Sequence, residues 1–517
     1  ILAQAIPARS DKASKPMDAI AGHRLRISHP LGIFPLGNSL LDSGARTRRA
    51  CGLGLLSRLS DELVLELLHA VPPEVCARLS CCSVVLAAFG RQEELWSAYC
   101  LDALDNGGGG GIHWAKEGTW RATYVRSCTS AGAASAGAAA SSATTTRVYS
   151  DVLYRSFFYA AIELDQRWFS RDTLLRVDAR QLTAEDFVKR FEQQSCPVLL
   201  QGVVESWPAM SSWSREALSE RLGDRPFTCG PCDMPLREFY EYAGRNLDDA
   251  PLFVFDKRFS KRVPELLQDY EVPGVFRGRD LFDLLGENRP DFRWIIIGNR
   301  RSGSKWHLDP NKTSAWNAVV RGRKRWLLLP PGCKPPGVHT SPDGAAFVTQ
   351  PVSLIEWFFN FYGELRRLVD ANPAWDLKEG ICGPGDAVFV PCGWWHCVLN
   401  LEDDTIAITQ NYASETHVHN IRRFLREKSD QVSGISDKAS LADRFDAALA
   451  KSRPDLLSSE SKPAAGEAQK SAEEQAPAPR AFSFWDHLRS TGQSLTFGSG
   501  ADEDPPCKRR REGTADA

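Results

Sequence analysis

Apolar side chains near the start of the chain recur with a helical period. They fall on every fourth position at Leu55, Leu59, Leu63 and Leu67, which predicts one apolar stripe of a helix. Ser60 stands before Asp61 and Glu62, an arrangement that favours a capped helix N-terminus. Two prolines at positions 72 and 73 end this helix, and another helical stretch follows them. We therefore predict a small bundle of short helices over residues 53–104.

A second pattern begins at residue 147 and continues to about residue 428. Here apolar stretches alternate with polar positions and Trp and Phe are denser, which predicts the main folded domain. The stretch 387–390 is predicted as a strand after a turn at Gly385 and Asp386, and His396 stands at the start of the next strand. Pro310 favours an extended backbone at the residue before it, so "KWHLD" (305–309) is predicted to be extended.

Three segments lack either period. Residues 1–52 mix Pro, Gly, Ser and Arg and are predicted to be irregular. Residues 105–146 are rich in Gly, Ala and Ser and are predicted to be a linker. Residues 429–517 are rich in Ser, Ala, Lys, Glu and Pro and are predicted to be a mostly disordered tail. The main domain is thereby assigned to residues 147–428.

Composition excludes few classes of protein. The 517 residues are 43% hydrophobic and 25% charged, which is enough for two or more globular domains. The formal net charge of −2 gives no overall field toward nucleic acid or an anionic membrane, and no apolar run is long enough to cross a bilayer. The 14 cysteines form no regular framework, which favours reduced thiols in the cytosol or nucleus.

Candidate chemistry concentrates on two of the predicted strands. Residues i and i+2 of a strand share a face, so His307 and Asp309 converge if their segment is extended, and His396 can add a third ligand. A structural zinc site would close its shell with four protein ligands. Two histidines and one carboxylate instead leave open positions, the arrangement of non-haem Fe(II) oxygenases.

An Fe(II) oxygenase of this kind needs a site for a chelating co-substrate. The co-substrate 2-oxoglutarate carries a distal carboxylate, which requires a fixed basic or hydroxyl partner. Lys324 lies in "RGRKRWLLLPP" and Thr409 in "TIAITQNYAS", both predicted strands. Each side chain offers suitable chemistry for that carboxylate.

Several long stretches, in order, resemble the Jumonji-C domains of the cupin superfamily. The similarity is greatest to the group containing the lysyl hydroxylase and arginine demethylase once described as a phosphatidylserine receptor, and it covers roughly residues 150–425. The stretches are "PLFVFD" (251–256), "LLQDYEVPGVF" (266–276), "FRWIIIG" (292–298), "RSGSKWHLDP" (301–310), "TSAWNAVVRGRKRW" (313–326), "VFVPCGWWHCVLNL" (388–401) and "TIAITQNYAS" (405–414). The resemblance implies a mainly β fold, a double-stranded β-helix (jelly-roll) core with flanking helices, behind a small N-terminal all-α module.

The resemblance also implies residue roles. The matching iron ligands are His307, Asp309 and His396, and the matching 2-oxoglutarate residues are Asn317, Lys324 and Thr409. Ser304 stands where close relatives carry a threonine near the site. Phe253 departs from the pattern, because close relatives have a tyrosine there whose hydroxyl helps to hold the co-substrate. Losing that hydrogen bond to a carboxylate is expected to cost about 1.5–3 kcal/mol.

The helical module at 53–104 resembles an F-box, which docks a ubiquitin-ligase adaptor, and the resembled group includes larger proteins with an F-box ahead of the Jumonji domain. Three functions follow for comparison. The first is an active Fe(II)/2-oxoglutarate oxygenase that hydroxylates lysyl side chains or demethylates N-methyl arginine or lysine in proteins such as histones. The second is a ubiquitin-ligase substrate receptor with a non-catalytic Jumonji domain. The third, a metal-storing cupin, does not explain Asn317, Lys324 and Thr409 together.

Other signals are weaker. The basic run at 508–511 resembles a nuclear import signal, although a solvated charge run is about as good an explanation. Cys229 and Cys232 form a CGPC sequence, but a single pair in a loop-like stretch favours an incidental pair over a redox site. Cys397 is expected in the core, and His417 and His419 are expected to be exposed at the end of the domain. The tryptophans at 306, 316, 394 and 395 are expected in the core and walls.

Overall fold

Two facing β-sheets organise the protein. The computed structural model describes residues 29–105, 114–115, 118–129, 147–341 and 347–458. The strands are β1 Ile33–Phe34, β2 Val148–Tyr149, β3 Leu175–Asp178, β4 Val198–Gln201, β5 Pro226–Cys229, β6 Cys232–Pro235, β7 Val254–Asp256, β8 Arg293–Gly298, β9 Gly303–His307, β10 Ser314–Arg321, β11 Lys324–Leu329, β12 His339–Thr340, β13 Val348–Thr349, β14 Lys378–Cys382, β15 Ala387–Val390, β16 Trp395–Asn400 and β17 Thr405–Tyr412.

The helices surround these sheets. They are α1 Ala45–Leu53, α2 Asp61–His69, α3 Pro73–Leu79, α4 Val84–Gly90, α5 Glu93–Asp105, α6 Trp120–Thr129, α7 Asp151–Ala161, α8 Ala184–Phe187, α9 Ala209–Ser212, α10 Arg215–Leu222, α11 Leu236–Ala243, α12 Phe259–Arg262, α13 Leu354–Ala371, α14 Val418–Glu427, α15 Leu441–Ser452 and α16 Asp455–Ser458. Within the described ranges, no helix combines the length and the apolar character that crossing a bilayer requires.

The larger sheet has the strand order β3-β4-β15-β10-β17-β8-β7-β5-β6, and the smaller has the order β14-β11-β16-β9. Their inner faces share one apolar cluster, to which the larger sheet contributes Leu199 and Val388 and the smaller Trp326 and Leu328. On β11 the pleat turns Leu327 and Leu329 the other way, toward helix α13. This is the jelly-roll core with flanking helices that the sequence predicts.

The N-terminal segment is more regular than predicted. Strand β1 pairs in parallel with β2, and α1 is helical, so only residues 1–28 of the predicted irregular segment lie outside the described residues. Helix α2 begins as predicted, with the Ser60 hydroxyl accepting a hydrogen bond from the Leu63 amide at 3.4 Å. The predicted leucine stripe is not its buried face, because α2 buries Val64 and Leu68.

Part of the predicted linker is folded. Trp114 and Trp120 are buried and pack edge-on against each other with ring centroids 4.9 Å apart. Trp114 also meets Tyr242 at the end of α11, and the Trp120 indole donates to Asp248 at 3.0 Å. The linker prediction is therefore wrong for α6 and its approach, because the apolar area of two tryptophans is enough to fix a short segment. Residues 106–113 and 130–146 lie outside the described residues.

The folded body also extends beyond the predicted boundary at residue 428. Helices α14 and α15 enclose an apolar cluster with Leu281, Phe282 and Phe445. The prediction of a disordered tail from residue 429 is wrong as far as residue 458, since Leu441, Phe445 and Leu449 form an apolar helix face within a polar composition. Residues 459–517, including the basic run at 508–511, lie outside the described residues.

Candidate active site

The smaller sheet brings three potential metal ligands together. His307 at the end of β9 pairs in register with His396 near the start of β16, and their ring centroids are 4.1 Å apart. Asp309 follows two residues after His307, and one ligand atom from each of the three residues lies within 4.8 Å of the others. In the described part of the chain, this is the one group of three or more His, Cys, Asp or Glu side chains with such spacing.

Backbone carbonyls fix how both imidazoles point. Nδ1 of His307 lies 2.7 Å from the carbonyl oxygen of Lys305, and Nδ1 of His396 lies 3.1 Å from that of Trp394. A proton on Nδ1 that donates to this carbonyl leaves the Nε2 lone pair free for a metal. Burial and the neighbouring His307 lower the pKa of His396 to about 4, so its ring is neutral at physiological pH.

The remaining ligand atom has no protein partner. Asp309 Oδ2 is buried and makes no hydrogen bond among the described residues, and Asp309 Oδ1 lies 4.0 Å from His396 Nε2. A buried carboxylate oxygen without a donor is costly unless a cation compensates it. Two imidazole nitrogens and one carboxylate on one side suit Fe(II) with open positions, so these residues fit the metal that the sequence implies.

A buried lysine marks the inner end of the same pocket. Lys324 is 2% exposed, and no ion pair joins it to a carboxylate among the described residues. Its ammonium lies 3.5 Å from Asn317 Oδ1, and burial lowers the pKa of Lys324 to about 8. A buried cation with only an amide partner is a site prepared for an anion.

The other predicted co-substrate residues line this pocket of about 340 Å³. Asn317 and Thr409 face each other across β10 and β17 in direct register. The Thr409 hydroxyl donates to the Trp316 carbonyl at 2.9 Å, so it donates to a ligand only after rotating. Ser304 and Phe253 also line the pocket, and Phe253 presents a phenyl ring without a hydroxyl.

Asn400 is a pocket residue that the sequence reasoning missed. It is 1% exposed, pairs in register with Lys324, and its amide nitrogen donates to the Ser302 hydroxyl at 2.9 Å. Its Oδ1 is buried without a hydrogen-bond partner. The period of a strand was the available signal, because His396 and Asn400 are four residues apart and therefore share a face.

The mouth of the pocket was also missed. Phe255 on β7 and Trp294 on β8 stack with ring centroids 5.5 Å apart and an angle of 10° between their planes. Phe255 is 39% exposed, whereas Lys324 at the inner end is almost fully buried. Lys257 and Asp291 form an ion pair of 2.6 Å beside the stacked rings. All four residues line the pocket.

A segment after α14 forms part of the wall. Ser433 and Gly434 line the pocket, and the Asn311 side chain makes two hydrogen bonds to the Ser433 backbone, of 2.9 and 3.0 Å. The Asp291 amide donates to the Gly434 carbonyl at 2.8 Å, and a Cβ at Gly434 would lie 2.9 Å from that amide nitrogen. Asn311 has a φ of 56°, a left-handed conformation that asparagine tolerates. Asn311 follows Asp309 by two residues, so this wall is tied to the metal-ligand loop.

The weaker signals resolve into structural features. His417 is buried, so its predicted exposure is wrong. The loop-like stretch around CGPC is a β-hairpin in which Cys229 and Cys232 are buried, free and directly paired in register, and burial raises the pKa of Cys229. Cys397 and the four tryptophans at 306, 316, 394 and 395 are buried as expected.

Comparisons with known proteins agree with this geometry. Residues 184–417 match the model of the cupin-like domain family. The chain is 41% identical over 483 residues to the arginine-specific demethylase JMJ22 of Arabidopsis thaliana, covering 92% of this chain and 91% of that protein. It is 38% identical over 262 residues to the bifunctional arginine demethylase and lysyl-hydroxylase psr-1 of Caenorhabditis elegans (48% and 63% of the two chains). It is 33% identical over 272 residues to the human 2-oxoglutarate and iron-dependent oxygenase JMJD4 (47% and 62%).

Proposed function

The chain belongs to the Jumonji-C group of the cupin-like family, and from that premise we propose that it hydroxylates or demethylates basic side chains of proteins. It is an oxygenase that uses Fe(II) and 2-oxoglutarate. The observation that carries the proposal is the buried Lys324, a cation without a carboxylate partner in the described structure, in the pocket that also holds His307, Asp309 and His396. A protein that only stores a metal has no use for such an anion site.

The proposed roles follow from the geometry of the pocket. His307, Asp309 and His396 hold the iron, and their second atoms or backbone neighbours keep them oriented. Lys324 binds the distal carboxylate of 2-oxoglutarate, with Asn317 beside it and Thr409 and Ser304 on the adjoining walls. When bound, the iron couples decarboxylation of 2-oxoglutarate by dioxygen to hydroxylation of a substrate C–H bond. Trp326 and Val398 close the pocket sides and exclude water.

Which carbon is hydroxylated decides the outcome. Hydroxylation of a lysyl side-chain carbon leaves a stable alcohol. Hydroxylation of an N-methyl carbon on arginine or lysine gives a carbinolamine that breaks down to the amine and formaldehyde. Relatives named for both activities are similar to this chain, so both substrate classes belong in the assay.

The test is Fe(II)-dependent formation of succinate from 2-oxoglutarate by the purified chain. We expect turnover with methylarginine- or lysine-containing peptides, and we expect His307→Ala to lower it to the level of chelator-treated protein. His339→Ala is the matched control, because His339 is exposed on β12 and lies outside the pocket. Equal turnover by the two variants, or none by the parent chain, contradicts the proposal. Formaldehyde and hydroxylysine assays then separate the two reactions.

A second proposal concerns the N-terminal helices. We propose that they dock a ubiquitin-ligase adaptor through an outward apolar face, which would make the enzyme a component of a ligase as well. Leu63 and Leu67 on α2 are 37% and 45% exposed, and Leu55 just before it is 81% exposed. Apolar side chains this exposed on one helix face favour a protein partner.

The adaptor proposal is tested with point variants, since Leu53, Phe89 and Trp96 of the module belong to the main apolar core and deletion would disturb folding. We expect purified adaptor to be captured by the full chain but not by the Leu63→Asp, Leu67→Asp double variant. Val125→Asp on α6, another exposed apolar residue of the module, is the control. Absence of capture by the parent chain would refute the adaptor proposal and leave the oxygenase proposal intact.

We also propose nuclear localisation, from the basic run at 508–511. Replacing these four residues with alanine in a fluorescent fusion should move the protein to the cytoplasm. Unchanged nuclear signal would assign import to another segment, and absence from the nucleus in the parent would refute the proposal.

A further inference from the structure

We propose that the stacked pair Phe255–Trp294 is the specificity element of the pocket, and that it binds the flat cationic guanidinium of a substrate arginine in preference to a lysine. The inference rests on the proposed function, because it assigns a substrate class to the same pocket. It concerns two residues whose side chains are neither metal ligands nor part of the anion site at the inner end.

The position of the pair follows from strand register. Trp294 lies opposite Thr409, which lies opposite Asn317, so one row of side chains crosses the inner face of the larger sheet. Phe255 and Phe253 are two residues apart and share that face. Phe253 approaches Gly298 and Asn400 at the inner end, since a Cβ at Gly298 would lie 3.3 Å from the Phe253 Cβ and 2.5 Å from the Asn400 amide nitrogen. Phe255 therefore lies one pleat closer to the mouth.

The shape of the pair selects for a planar group. Rings 5.5 Å apart at an angle of 10° form one extended offset surface, not a closed cage. A guanidinium is planar and weakly hydrated and stacks on such a face, whereas an ammonium is compact and strongly hydrated. The attraction of a cation to an aromatic face is electrostatic, so a neutral group of the same shape is held less well.

The charges beside the pair point to the same conclusion. Asp291 is the carboxylate nearest to the two rings in sequence, and Lys257 already pairs with it at 2.6 Å. This ion pair is neutral overall, so the attraction of the mouth for a cation depends mainly on the ring faces. Removing the Lys257 ammonium should uncover the Asp291 carboxylate and add an attraction that does not distinguish arginine from lysine.

The experiment measures binding of three peptides to the full chain holding Fe(II) and 2-oxoglutarate without oxygen. The peptides are identical except for one residue, which is methylarginine, citrulline or lysine; citrulline is flat but uncharged. Fluorescence anisotropy reports affinity without turnover. We expect methylarginine to bind about threefold to tenfold more tightly than citrulline or lysine. Equal affinity for methylarginine and citrulline would overturn the proposal.

Variants assign this preference to the pair. Phe255→Leu and Trp294→Leu should each reduce the preference for methylarginine to less than about twofold, whereas Trp294→Phe should retain much of it. Phe347→Leu is the control, because Phe347 is 78% exposed and lies outside the pocket. Lys257→Ala should tighten binding of the methylarginine and lysine peptides alike. Retention of the full preference in Trp294→Leu, with an unchanged melting temperature, would overturn the proposal.

Two further outcomes remain distinct. A single-stranded oligonucleotide that competes with the peptide and depends on Trp294 would assign the rings to nucleobase stacking and overturn the proposal. Failure of the parent chain to form succinate while it keeps the arginine preference would contradict the proposed function but support the guanidinium site.

Discussion

The inner end and the mouth of the pocket are built on the same two sheets, yet they suit opposite charges. At the inner end Lys324 is buried beside Asn317 and Asn400, which leaves a cation with neutral partners. At the mouth, two half-open aromatic rings stand beside an ion pair that is already neutral. The comparison teaches that one cavity can separate an anionic co-substrate from a cationic substrate through the depth of the side chain along a strand.

The largest effect is expected from removing the inner cation. Lys324→Met keeps the length of the side chain but leaves the co-substrate carboxylate buried without a charged partner, which should raise the KM for 2-oxoglutarate about 10–100-fold. Steady-state succinate formation measures this. Anaerobic peptide binding should change much less, and an equal loss of peptide affinity would show that the two ends do not act separately.

The same variant should stabilise the fold. The pKa of Lys324 is lowered from 10.5 to about 8, so folding favours the neutral amine. The cost of burying the charge is absent above pH 10.5, grows as the pH falls toward 8 and is constant below it. At pH 7 this corresponds to roughly 3 kcal/mol, and Lys324→Met should raise the free energy of unfolding by up to that amount. Urea unfolding at pH 7 measures the gain, and lower stability of the variant would contradict the prediction.

The two ends should also respond differently to pH. Because the Lys324 ammonium must be protonated to bind a carboxylate, affinity for 2-oxoglutarate should fall about tenfold per pH unit above about pH 8. Binding of the methylarginine peptide should stay level, since arginine keeps its charge over this range. Isothermal titration between pH 7 and 9.5 measures both. Lys324→Arg should flatten the co-substrate profile; an unchanged profile would assign it to another group.

The smallest effect is expected from restoring a hydroxyl at the inner end. Phe253→Tyr adds one donor to the wall where related proteins carry tyrosine, and one hydrogen bond to a carboxylate should lower the KM for 2-oxoglutarate about threefold to tenfold. Phe255→Tyr, one pleat nearer the mouth, is the matched control and should leave this KM within about twofold, since its hydroxyl lies away from the anion site. An unchanged KM in Phe253→Tyr would show that Asn400 or water already satisfies that carboxylate.

Sequence reasoning reached the inner end of the pocket more completely than the mouth. The strands that carry Lys324, His396 and Thr409 have strong apolar alternation, and this local signal fixes which side chains face inward. The partners of each strand follow from no local pattern, since β10 pairs with β15 and β17 far along the chain. The jelly-roll core therefore depended on the family resemblance.

The mouth depends on contacts that are distant in sequence. Phe255 and Trp294 meet across 39 intervening positions only because β7 and β8 pair, and Ser433 reaches the pocket from a segment whose composition resembles a disordered tail. The same limitation explains α6, where two buried tryptophans outweigh a Gly- and Ala-rich context.

The hydrogen bonds between Asn311 and the Ser433 backbone join the C-terminal helices to the loop that carries Asp309. If these segments open together, they form one cooperative unit of local unfolding, and closing it costs the pocket a free energy that ligands repay. Amides of α14 and α15 should then exchange with deuterium more slowly once metal and 2-oxoglutarate are bound, although neither helix touches them directly. A fragment ending at residue 428 would lack this coupling and one wall of its own substrate channel.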